Sequence, residues 1–343
     1  MAEVTRRTEV LTGVAPDAIP FDDIIAADRP MIVRGVTADW PLVRAGRESP
    51  AAAMACLTQF DTGRPLTAYV GAPEIGGRFH YDAAGTGMNF TAERATLGEM
   101  LDRIARHLDD PEPPSFYIGS TDIDTFLPKL RRDNDLALPP QMSAYEPPLA
   151  SIWIGNRTIA ATHYDMSNNI ACCLVGRRRF TLFPPDQVAN LYPGPLEPTP
   201  GGQVVSMVDL RSPDLARFPR FAEAAAAAEI AELEPGDVLF YPALWWHNVE
   251  ALDAFNVMVN YWWNQSPGYM DTPMTTILHG LLSLRDRPEP EKRAWRAMFD
   301  YYLFGPADQA AAHLPEAARG PLAPLDAIQA RRLRAQLLNR FNR

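Results

Sequence analysis

Residues 162–185 read THYDMSNNIACCLVGRRRFTLFPP, and the pattern in this stretch sets the architecture. The apolar run NIACCLVG stops at Gly176, and RRRFTLF stops at two prolines. Short β-prone runs closed by turn residues predict strands. Working outward, the same rhythm returns in SIWIG (151–155), QVVSMVDL (203–210), GDVLFYP (236–242), WHNVEAL (246–252) and FNVMVNYWW (255–263). Strands at this spacing predict a sandwich or jelly roll. The insert YPGPLEPTPGG (192–202) reads as a loop, and the Ala-rich FAEAAAAAEIAELE (221–234) as a short helix.

Positions i and i+2 of a strand share a face, so His163 and Asp165 can point together into the barrel. A 2-His-1-carboxylate iron(II) site needs one more imidazole and open positions for substrate and oxygen. Among six histidines, His247 in GDVLFYPALWWHNVEAL is the best placed, at the start of a strand after a turn and a break at Pro242. The competing reading makes His163 a satisfied core histidine and His247 a surface one. The triplet HYD also occurs at 80–82, in GRFHYDAAG. There it precedes a turn-like stretch, so it reads as a loop near the site mouth, with His80 or Tyr81 touching substrate rather than metal.

Alternation in GRRRFTLFPP puts Arg178 on the apolar face with Phe180 and Leu182. A buried cation needs a partner, either a protein carboxylate or that of a ligand, unless the side chain reaches to the rim. Asn169, on the His163/Asp165 face, and Asn260, on a face with Met258 and Trp262, are candidates for hydrogen bonds to a bound acid.

Upstream, RPMIVRGV (29–36) reads as a strand. TLGEMLDRIARHL (96–108) reads as an amphipathic helix opened by a Thr96–Glu99 capping box. The proline-rich LPPQMSAYEPP (138–148) marks a boundary. The expected organisation is an N-terminal α/β segment (1–145), a β core (146–265) and a C-terminal helical segment (266–343) able to pair two copies of the chain.

The chain has 343 residues, 47% of them hydrophobic and 22% charged, as in an ordinary soluble globular protein. A net charge of −10 argues against a broad nucleic-acid-binding face. No segment has the apolar length of a membrane span, and the start does not resemble a signal peptide. Cys56, Cys172 and Cys173 have the spacing of neither a disulfide framework nor a zinc site. The expectation is reduced thiols in a cytoplasmic protein.

Together, HYD, GxxR-x₃-FPP, GDxxxxP-x₃-WH and NVMVNYWW resemble the JmjC/cupin-like 2-oxoglutarate oxygenases. Within them the pattern is that of the asparaginyl hydroxylase that modifies the hypoxia-inducible factor and of its bacterial cupin-like cousins. The likeness is strongest over 150–264 and extends weakly to RPMIVRGVTADWP. It implies a double-stranded β-helix with Fe(II) at His163, Asp165 and His247, and with 2-oxoglutarate and O2 as co-substrates. It implies that Arg178, where the asparaginyl hydroxylase has a lysine, and Tyr117 meet the far carboxylate. Asn169 and Asn260 match asparagines near the iron-chelating end, whereas Ala160 stands where that relative has a threonine. The implied activity is hydroxylation of a C–H bond, on a protein or peptide side chain first and on a small molecule second. A cupin-type metalloenzyme that does not use 2-oxoglutarate, in which Arg178 is structural, is the alternative.

Overall fold

In the computed structural model, which describes residues 4–342, eight strands between residues 149 and 263 are divided between two sheets. Leu149–Gly155, Asn168–Val175, Val238–Tyr241 and Asn256–Trp263 belong to one; Ile159–Tyr164, Arg178–Phe183, Glu229–Leu233 and Trp246–Ala251 belong to the other. This is a jelly-roll core flanked by helices. Gly176, at φ +68°, makes the tight turn from one sheet to the other, and a Cβ there would lie 2.3 Å from Asn256 Oδ1.

The first sheet continues through Ser115–Asp122, Leu66–Gly71 and Thr91–Ala95 on one side, and through Met31–Val33 and Glu9–Leu11 on the other, to nine strands. The second reaches six, ending in Arg6–Arg7 and Arg78–Phe79. The N-terminal residues therefore build both sheets. They share the unit Met1–Asn264 with the core strands, and Gln265–Arg343 forms a second unit.

NIACCLVG is apolar throughout because both its faces are buried. Ile170, Cys172 and Leu174 pack on Leu42, Met54, Leu57 and Met100 of the N-terminal helices. Ala171 and Cys173 face the space between the sheets with Phe180, Leu182 and Tyr241. All three thiols are free. The helix Leu97–Ala105 has the expected capping box, and it buries Leu97, Met100, Leu101 and Ile104.

Two expectations need correction. Residues 203–210 form no ladder, only the isolated bridges His163–Val205 and Pro193–Ser206. Their burial comes from side-chain packing rather than strand pairing: Val205 lies with Tyr81 and Ala161, and Val208 with Phe183, Leu191 and Phe221. The stretch 221–234 is helical only over Phe221–Ala227. Glu229–Leu233 is a strand that pairs with Arg178–Phe183. Ala231 and Leu233 point inward while Glu232 meets Arg179 on the outside, so sheet pairing overrides the helix preference of an Ala/Glu-rich segment.

The second unit carries the helices Pro273–Ser283, Glu289–Phe299 and Ala327–Phe341. Among its described residues the buried apolar ones are alanines, Ala310, Ala311 and Ala330. Many of its large apolar side chains stay exposed, with Leu282 at 81%, Phe304 at 78% and Leu338 at 61%. No helix of the described residues is long and apolar enough to cross a membrane.

Candidate active site

His163 and His247 are direct partners across the ladder between Ile159–Tyr164 and Trp246–Ala251, with ring centroids 4.3 Å apart. Each ring is fixed in the same way. Nδ1 of His163 lies 2.8 Å from the Ala161 carbonyl oxygen, and Nδ1 of His247 lies 2.9 Å from that of Trp245. Donation from each Nδ1 leaves the Nε2 lone pair free for a ligand. Asp165 sits just beyond its strand, with Oδ2 3.7 Å from His247 Nε2.

The donor atoms of the three residues lie within 4.8 Å of one another, an arrangement able to hold a metal ion. Burial, reinforced by the neighbouring His163, holds His247 down at about 4. Its imidazole is therefore neutral at physiological pH, as a metal ligand must be. Two neutral nitrogens, one carboxylate and open space in front fit Fe(II).

Outer contacts orient the carboxylate. Trp262 Nε1–H donates to Asp165 Oδ2 at 3.2 Å, and the Leu244 N–H donates to the Asp165 carbonyl oxygen at 2.8 Å. Leu244 makes that bond at φ +65°, in the left-handed region, which costs an L-residue about 1–2 kcal/mol. Alternation with Asn260 could have pointed to Trp262. No local signal marks Leu244.

The triad opens into a cavity of about 370 Å³. Tyr69, Phe79, Phe90, Tyr117, Trp153 and Trp262 make much of its wall, and residues 199–203 of the loop form another part. The stretch 74–90 contributes Phe79 and Phe90 to the wall, and the loop 192–202 contributes residues 199–202. Asp165 is the one carboxylate among the described lining residues.

The first HYD triplet is not part of this wall. His80 and Tyr81 are 5% and 3% exposed. His80 Nε2 lies 3.0 Å from the Ser206 carbonyl, and the Tyr81 hydroxyl donates to that of Pro195 at 2.9 Å. Both rings brace the 192–206 segment from behind, which corrects the expectation of substrate contact.

Arg178 is 2% exposed. Its Nε and Nη2 are buried without a hydrogen-bond partner, and it forms no ion pair with the described residues. Burial lowers its pKa, opposed by Tyr117 and Cys173. Tyr117 faces the cavity, and burial pushes it up to about 12 despite Arg178 nearby, so it remains a neutral donor. A buried guanidinium without a protein acceptor is unfavourable unless an anion joins it, and a carboxylate is the best-matched anion.

Asn260 lines the cavity, accepting from Trp153 Nε1 at 2.5 Å and donating to Asn169 Oδ1 at 3.3 Å. Asn169 stands behind it and donates to the Ser167 carbonyl at 2.9 Å. The two amides therefore have fixed orientations, and Trp153 is the residue that sets the first of them. Ala160 also lines the cavity. The ladder bulges beside it. Val249 pairs with Ala160 and His247 with His163, so Asn248 alone stands opposite both Ala161 and Thr162. The bulge turns Ala160 and His163 to one side although they are three residues apart.

Residues 16–269 match the family described as Cupin-like domain. This chain belongs to that family. Among its relatives, the cupin-like chain is 28% identical over 205 residues to Lysine-specific demethylase JMJ31 of Arabidopsis thaliana, covering 56% of this chain and 35% of that protein. It is 27% identical over 252 residues to Lysine-specific demethylase 8 of Xenopus tropicalis, covering 71% and 50%. It is 40% identical over 106 residues to tRNA wybutosine-synthesizing protein 5 of Danio rerio, covering 31% and 29%. The cupin-like chain thus spans half or less of the length of these relatives.

Proposed function

We propose that the chain is an Fe(II)- and 2-oxoglutarate-dependent oxygenase that hydroxylates a C–H bond, with a protein or peptide side chain as substrate. The observation that carries this reading is the pairing of a His163–Asp165–His247 donor set with a buried, unpartnered Arg178. A cupin-type metalloenzyme without 2-oxoglutarate has use for the first but leaves the second unexplained.

His163 and His247 would hold iron through Nε2, and Asp165 through the carboxylate that Trp262 orients. Arg178 and Tyr117 would take the far carboxylate of 2-oxoglutarate, with Asn260 near the chelating end and Asn169 fixing its amide. Bound iron and 2-oxoglutarate supply oxidative decarboxylation coupled to transfer of one oxygen atom of O2 into the substrate. The protein positions the C–H bond, and its aromatic wall excludes water. Two relatives named as demethylases support a protein substrate; a small molecule is the second candidate.

The second unit supports pairing of two copies. Helices whose large apolar side chains stay exposed, such as Leu282, Ile328, Leu337 and Leu338, gain stability when a partner covers them.

Anaerobic addition of 2-oxoglutarate to the iron(II) protein tests the activity. A weak metal-to-ligand absorption band is expected, followed by succinate when air is admitted. No band and no succinate would refute it. Peptide and metabolite panels scored by mass gain of one oxygen then separate the two substrate classes.

A further inference from the structure

Tyr241 is a buried tyrosine whose hydroxyl has no use within the protein. Its backbone pairs with Asn169 in the nine-stranded sheet, and its ring reaches toward the opposite sheet. There it packs 4.7 Å from the His247 ring and 6.0 Å from that of Phe180. The ring is 3% exposed and lines the cavity. The hydroxyl makes no hydrogen bond to any described residue. A phenylalanine would fill the same space, so ring packing does not account for the hydroxyl. The hydroxyl is not sealed off from the cavity, so it offers a free donor to whatever binds there.

The register shows what lies beside it. Phe180 pairs with Val249, and Val249 with Ala160, so these three form one row across the six-stranded sheet. Tyr241 meets that row from the other sheet. Arg178, two residues from Phe180 on the same face, begins the next row. The electrostatic neighbours agree: Asp165 and Tyr117 bear on the Tyr241 hydroxyl, and Arg178 bears on that of Tyr117. Tyr117 and Tyr241 therefore bring hydroxyls without protein acceptors to the cavity wall, and the unpartnered Arg178 lies buried behind them, next to Tyr117. A carboxylate offers about four lone-pair sites. Two N–H groups of Arg178 and two phenols would fill them.

Resting on the oxygenase reading above, we infer that Tyr241 is a co-substrate-binding residue whose hydroxyl donates to the far carboxylate of 2-oxoglutarate. It supplies from the nine-stranded sheet the hydrogen bond that the Ala160 methyl group cannot make from the six-stranded one.

The test measures keto-acid binding to the manganese(II)-loaded full chain by calorimetry, using 2-oxoglutarate and 2-oxobutyrate, which lacks the far carboxylate. Tyr241→Phe is expected to weaken 2-oxoglutarate by about tenfold to a hundredfold, the range for losing one hydrogen bond to a charged group, and to leave 2-oxobutyrate unchanged. Adding Ala160→Thr to Tyr241→Phe is expected to recover most of the loss. Ala160→Thr alone is expected to tighten 2-oxoglutarate by less than about threefold, since the acceptor sites are already filled.

Equal binding of 2-oxoglutarate by Tyr241→Phe and wild type overturns the assignment, as does equal loss of both keto acids. If Tyr241→Phe does not fold, the Ala160→Thr result decides, and a gain in affinity of about tenfold, the worth of one unfilled acceptor site, overturns the assignment. Wild-type protein that binds neither keto acid overturns the oxygenase reading and this assignment with it.

Discussion

Replacing Arg178 with methionine moves stability and ligand affinity in opposite directions. In the ligand-free protein the guanidinium is 2% exposed, with Nε and Nη2 unpartnered. Substituting apolar volume for a buried charge is often stabilising, here by about 1–3 kcal/mol. At about 2 °C per kcal/mol for a unit of this size, melting rises by roughly 2–6 °C. Losing a bidentate, charge-assisted contact costs binding about 3 kcal/mol or more, a factor of at least about a hundred. At a 2-oxoglutarate concentration of about 100 times the wild-type Kd, the ligand stabilises wild type by about 2.7 kcal/mol. It stabilises the variant by only about 0.4 kcal/mol, because the same concentration then barely equals Kd. Thermal melts of the manganese(II)-loaded protein with and without 2-oxoglutarate read both quantities. A variant that melts lower without ligand, yet keeps the full ligand-induced shift, would show that Arg178 serves the fold and not an anion.

Trp262→Phe removes the donor to Asp165 Oδ2 and is expected to weaken iron(II) or manganese(II) binding about tenfold to a hundredfold, read by metal titration; unchanged affinity would free Trp262 of this role. Burial and Arg78 lower the pKa of His80 below its ordinary 6.5. The unfolded chain therefore takes up that proton first, and the stability His80 contributes above about pH 6.5 is lost as pH falls through its folded value. His80→Gln is expected to flatten the acid side of the stability–pH curve in denaturant titrations, and an unaltered slope would count against it. In the second unit, Leu338→Glu is expected to convert dimer to monomer in light scattering and to lower melting, since the partner no longer covers these helices. A wild-type monomer would sink the pairing proposal.

Much of the core was legible because strand patterning is local. Arg178, Phe180 and Leu182 are buried on one face as alternation required, while Arg177 meets Asp253 and Arg179 meets Glu232 outside. The capping box at Thr96 and the helical character of the C-terminal segment were legible for the same reason. Where local preference misled, a partner distant in sequence had prevailed. Glu229–Leu233 became a strand because Arg178–Phe183 offered it a ladder. Residues 203–210 look like a strand but found only single bridges.

The sequence by itself determined the alternating core strands and the candidate donors His163, Asp165 and His247, since periodicity and spacing are properties of the chain. Only the tertiary structure decided what surrounds those donors. The bulge opposite Asn248 brings Ala160 beside His163. Trp262 reaches Asp165 across 97 residues, and the two HYD triplets part company because one faces a cavity and the other braces a loop. Tyr241 joins the site from the opposite sheet. These are relations between strands, set by register and by which sheet each strand enters, and no window along the chain contains them.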